Sequence, residues 1–94
     1  MLIQISGHHL EITAALDEFI RKKLLTIEKH FVPVLSIHVI LNINKSQQEA
    51  EATLHIPKAE IFAKASSPDM YKTIEILVEK IIRQLEKHKG KTHG

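Results

Sequence analysis

The chain has 94 residues, enough for one domain with a single core and no more. It is 44% hydrophobic and 26% charged, which fits a folded domain and excludes a disordered one. There is no Cys, which removes disulfides, thiolate metal sites and a cysteine nucleophile. The net charge of +2, from 13 Lys+Arg against 11 Asp+Glu, does not by itself suggest a nucleic-acid partner. No apolar run is long enough for a membrane span. No charged leader precedes an apolar stretch near the start, so the cytoplasm is the expected location.

Residues 2–6 are short and β-prone, with Gly7 as punctuation, and predict a first strand. Thr13 is the expected N-cap of a first helix. Leu16, Phe19, Ile20, Leu24, Ile27 and Phe31 form its apolar stripe, and Pro33 stops it. Residues 35–44 switch to period two, with Leu35, Ile37, Val39, Leu41 and Ile43 on one face. Residues 45–48 predict a turn, and residues 49–56 and 59–66 alternate again. Apolar residues match when Ile43 faces Ala50, Leu41 faces Ala52, Val39 faces Leu54 and Ile37 faces Ile56. That register sets His38 opposite His55. In the next hairpin Ile56 faces Ala59, Leu54 faces Ile61 and Ala52 faces Ala63, which sets Glu51 opposite Lys64. Pro57 cannot adopt positive φ, so the turn at Pro57-Lys58 is expected to be wide.

A long helix is predicted from Pro68 to Lys89, with Ser67 as its N-cap. Its buried stripe is Tyr71, Ile74, Leu77, Val78, Ile81 and Leu85. The fold class is therefore α+β: a β-α-β-β-β-α two-layer sandwich, with a four-stranded sheet and both helices on one face. Residues 1–89 form the domain, and residues 90–94 are expected as a short disordered tail.

The charge is unevenly spread. Residues 20–30 hold Arg21, Lys22, Lys23 and Lys29 against Glu28, a net of +3. Residues 80–94 hold Lys80, Arg83, Lys87, Lys89 and Lys91 against Glu86, a net of +4. The remainder carries −5, so the chain is polarised. At about 100° per residue, Lys72, Lys80, Arg83 and Lys87 share one arc of the last helix. Such runs commonly only solvate an outer surface. Two helices on one sheet face, however, place both basic arcs on one side, where they can neutralise phosphates. Lys23 lies at the angle of the apolar stripe, which fits either a snorkelling lysine or one aimed at a ligand between the helices.

Other chemistry is missing. The sequence has no phosphate loop, nucleophile elbow or His-Glu-x-x-His helix, so neither an enzyme nor a cofactor is expected. Seven His without a compact ligand spacing do not make a metal site. Two other classes fit the same residues. One is a protein-interaction module using His38, Ile40, His55 and Phe62 of the wet sheet face; the other is a general double-stranded RNA binder.

The segments Ile3-Gln-Ile-Ser-Gly7 and Leu10-Glu-Ile-Thr-Ala-Ala-Leu16 resemble the start of the bacterial ribosome hibernation promoting factors. Glu51-Ala-Thr-Leu-His-Ile56, Asp69-Met-Tyr71 and Arg83-Gln-Leu-Glu-Lys-His-Lys89 continue the resemblance in order, over nearly the whole chain. The resemblance implies the same β-α-β-β-β-α fold. It implies binding to the 30S ribosomal subunit, through 16S rRNA, in the path of mRNA and tRNA. It further implies arrest of translation in stationary phase and, for the short form, promotion of inactive ribosome dimers with ribosome modulation factor. A monomer when free is expected. The family's basic helix positions match Lys23, Lys80, Arg83, Lys87 and Lys89; Lys22 and Lys29 join the rRNA-binding set from the charge pattern alone.

Overall fold

The computed structural model describes residues 1–29 and 33–93, with side chains for 1–28 and 33–88. Its elements are β1 (Leu2–His8), α1 (Ala14–Leu25), a 3-10 turn (Thr26–Lys29), β2 (Ser36–Asn44), β3 (Gln47–Ile56), β4 (Ala59–Ser67) and α2 (Met70–His93). The sheet order is β1-β2-β3-β4, with β1 and β2 parallel and the other neighbours antiparallel. The expected order of elements and the two-layer arrangement are both present.

Alternation of side chains along each strand produces the core. Ile37, Val39 and Leu41 of β2, Ala50, Ala52, Leu54 and Ile56 of β3, and Ile61, Ala63 and Ala65 of β4 all point to one face and are buried. Leu16, Ile20 and Leu24 of α1 and Ile74, Leu77, Ile81 and Leu85 of α2 complete the same cluster. The alanines matter here: short side chains on β3 and β4 let α2 lie close to the sheet.

Several sequence expectations are corrected. Gly7 lies inside β1, and the break falls at His9, which has a φ of 61°. The space at Gly7 explains the glycine: an added Cβ would sit 2.5 Å from the Leu10 carbonyl oxygen. The β2–β3 register is shifted by two residues, with Ile43 opposite Gln48, Leu41 opposite Ala50, Val39 opposite Ala52 and Ile37 opposite Leu54. Lys45 adopts a φ of 59°, so a two-residue turn suffices and Gln47 and Gln48 join the ladder. His38 consequently faces Thr53, not His55. The β3–β4 register is as expected. The turn between them is tight rather than wide: Lys58 supplies the positive φ, 66°, after Pro57. Proline first and positive φ second is the pattern of a type II turn. Leu35 and Ile43, assigned to the buried face, are exposed where the sheet ends.

The helices differ from expectation at their ends. Thr13 caps α1, its hydroxyl accepting from the Leu16 N–H at 3.1 Å. The α1 stripe is buried as expected except for half-buried Phe19; Phe31 lies outside the described residues. Asp69, not Ser67, caps α2, its carboxylate accepting from the Tyr71 N–H at 3.1 Å. Pro68 therefore precedes the helix. The α2 backbone is helical through His93, past residue 89 where the sequence suggested a tail; the side chains of 89–93 and all of Gly94 lie outside the described residues.

Ser67 has a different task. Its hydroxyl accepts from the Asp69 N–H at 3.2 Å and lies 2.7 Å from Thr73 Oγ1. Thr73 is fully buried, and its hydroxyl donates to the Gln48 carbonyl at 2.8 Å. This chain ties the start of α2 to β3 and β4. Thr73→Val keeps the shape but leaves buried polar atoms without partners, and should cost about 1–3 kcal/mol in urea unfolding. A loss within about 0.3 kcal/mol of zero would show that the network contributes nothing net.

Candidate nucleic-acid interface

The outer surface of α2 carries Lys72, Arg83 and Lys87, all exposed. None makes a hydrogen bond or ion pair among the described residues. Lys72, absent from the expected binding set, belongs with this group by helical angle. Glu75, Glu79 and Glu86 are also exposed and lie together on a flank of the helix that borders the basic arc.

Lys80 has a second attachment. Its Nζ donates to the Lys64 carbonyl at 2.8 Å, and Gln84 Nε2 donates to the Phe62 carbonyl at 2.6 Å. The spacing explains the match. Four residues of helix rise about 6 Å, and two residues of strand rise about 6.7 Å. Residues 80 and 84 of α2 can therefore reach successive outward carbonyls of β4, the strand at the sheet edge. This covers an edge that would otherwise be open to pairing. Lys80 remains exposed on the basic side, but its ammonium is partly committed.

The two helices lie side by side. Phe19 of α1 and Tyr71 of α2 meet edge to face, with ring centroids 4.8 Å apart. Tyr71, expected in the buried stripe, is instead 41% exposed. Lys22 borders the groove beside it. Lys23 is half-buried, with its Nζ 5.5 Å from the Phe19 ring centroid, a cation–π distance. Of the two alternatives for Lys23, the structure shows only its packing: it is half-buried with its ammonium over the Phe19 ring. Arg21 is taken up by Asp17 at 2.8 Å. From Lys72 to Lys87 along α2 is about 22 Å, so the cations of this helix form one elongated arc. The side chains of Lys29 and Lys89 lie outside the described residues.

The opposite, wet face of the sheet is different. Ile40 and Phe62 are exposed there. Between and around them lie an ion pair from Lys64 to Glu51 at 3.4 Å and a contact of 3.5 Å between His55 Nδ1 and a Glu60 carboxylate oxygen. His38 Nε2 is 3.1 Å from Ser6 Oγ. Among the described residues no group of three His, Asp or Glu could hold a metal ion. No helix among them is long and apolar enough to cross a membrane.

Residues 3–93 match the family described as sigma 54 modulation protein / S30EA ribosomal protein. The chain belongs to this family. It is 44% identical over 91 residues to the ribosome hibernation promoting factor of Azotobacter vinelandii, spanning 97% of this chain and 85% of that protein. It is 41% identical over 91 residues to that of Escherichia coli (strain K12), spanning 97% and 96%. A ribosomal subunit interface protein from Coxiella burnetii has the same fold, with a TM-score of 0.86 and 36% identity over 96% of this chain and 99% of that one. The N-terminal domain of Thermus thermophilus Protein Y also scores 0.86, at 23% identity over 94% and 99%, a likeness of fold alone. S30EA family members bind ribosomes and are not enzymes.

Proposed function

We propose that this protein is a ribosome hibernation factor acting by occlusion. Its basic helical side binds the 30S subunit through 16S rRNA in the path of mRNA and tRNA, and its body blocks translation there. Lys22, Lys23, Lys80, Arg83 and Lys87, with Lys29 and Lys89, contact phosphates; Lys72 joins them. Promotion of inactive ribosome dimers in stationary phase, with ribosome modulation factor as a partner, belongs to the same reading. So do a cytoplasmic location and a monomeric free state. The names of the relatives support ribosome hibernation as the role.

The observation that carries the binding mode is the exposed arc of Lys72, Arg83 and Lys87 on α2, which has no internal partner among the described residues. Neutralised phosphates release counterions, and that supplies affinity. The contacts position the protein, while the shape of the rRNA pocket selects the place. The test is sedimentation with small subunits at constant magnesium across monovalent salt. Eight phosphate contacts at about −0.7 each in the log–log slope predict a loss of affinity of roughly three orders of magnitude between 50 and 200 mM salt. A flat dependence would rule out the phosphate interface. Comparable affinity for arbitrary RNA duplexes would favour a general double-stranded RNA binder.

A further inference from the structure

Tyr71 is an aromatic ring left at the surface between two helices. A residue needed only for packing would be buried there, and Leu or Ile would serve. Tyr71 instead is 41% exposed, and its hydroxyl has no hydrogen-bond partner among the described residues. One edge of the aromatic pair is set by Phe19, whose ring holds Tyr71 in an edge-to-face contact. The groove is open, with a volume of about 270 Å³, lined by Ala15, Glu18, Phe19, Lys22 and Tyr71. Lys23 lies over the Phe19 ring.

The charges say what fits. Lys22 borders the groove and Lys23 lies over the adjoining Phe19 ring, and both suit phosphates. Glu18 lines the groove itself, and Glu75 follows Tyr71 one turn along α2. Two carboxylates disfavour a phosphate inside the groove and tolerate a neutral, planar group. A stacked nucleobase has that character, and aromatic rings beside cations are the usual platform for unpaired bases. Resting on the RNA-binding reading above, we propose that the groove takes one unpaired RNA base, stacked on Tyr71. The flanking phosphates then meet Lys22 and Lys23. The helical face would thereby bind RNA by more than charge.

The chain has one Tyr and no Trp, so the Tyr71 ring signals can be followed by NMR without ambiguity. Hexaadenylate should move the ring protons upfield, and an abasic ribose-phosphate hexamer of equal charge should not. In small-subunit binding, Tyr71→Leu should weaken affinity about 5- to 100-fold, the range of one lost base stack. Tyr71→Phe should stay within about twofold, since the stacking face is kept. Equal ring shifts with both oligomers would overturn the proposal. So would a folded Tyr71→Leu chain that binds as tightly as the wild type, while leaving the ribosome reading intact. A wild-type chain that does not bind small subunits would overturn that reading together with the place of the groove in it.

Discussion

Arg83→Glu with Lys87→Glu will reduce small-subunit affinity by roughly two to four orders of magnitude while the protein stays folded. Both side chains are exposed on α2 and make no internal bond among the described residues. Reversal therefore removes nothing from the core. A charge-assisted hydrogen bond contributes about 1.5–3 kcal/mol. Two are lost here, and two carboxylates are brought against phosphates. The salt slope should fall by about 0.7 for each cation removed. Co-sedimentation over a salt series reads both quantities, and circular dichroism reports the fold. Lys80→Ala is the internal comparison. The Lys80 ammonium is shared with the Lys64 carbonyl, so its loss should weaken binding less than Arg83→Ala does. Unchanged affinity and slope in the double variant would move the interface off α2.

Ile81→Ala will have the largest effect on stability, about 2–5 kcal/mol. Ile81 has no exposed surface and sits in the cluster shared by α1, α2 and the sheet. Truncation removes buried apolar surface and leaves a cavity that rigid strands on one side cannot fill. For a domain of this size, a few kcal/mol corresponds to a fall in Tm of roughly 10–30 °C. Urea and thermal unfolding measure it. At low temperature, where the chain remains folded, affinity for small subunits should hold, because no cation has moved. A loss under about 1 kcal/mol would mean that the helix–sheet interface collapses around the gap.

The two variants separate features that the sequence reveals to different degrees. Charge position along a helix is a local property. Once α2 is recognised from Ile74, Leu77, Ile81 and Leu85, the angles of Arg83 and Lys87 follow from helical geometry. The same helical angles place Tyr71 in the core, yet it is exposed in the structure. Its angle borders the stripe, and its exposure depends on how Phe19 of α1 meets it. No helical angle contains that information.

Register shows the boundary most clearly. Alternation assigned the inward face of β2, β3 and β4 correctly, because a slip of one residue would turn every apolar side chain outward. A slip of two keeps each side chain on its face, and the apolar pattern cannot detect it. The turn decides, and Lys45 and Lys58 take positive φ although neither is Gly or Asn. The Lys64 and Phe62 carbonyls bound by Lys80 and Gln84 are a further product of tertiary placement, since backbone acceptors have no signature in a side-chain pattern.

A net charge of +2 said little about a partner. The sequence alone determined the order of elements, the buried faces and the unequal distribution behind that sum, because these depend on periodicity and composition. Only the tertiary structure decided which cations stay unpaired. It committed Lys80 to a strand edge and set Lys22 beside an exposed tyrosine of the other helix. Pairing and exposure are relations between segments distant in the chain, and packing alone establishes them.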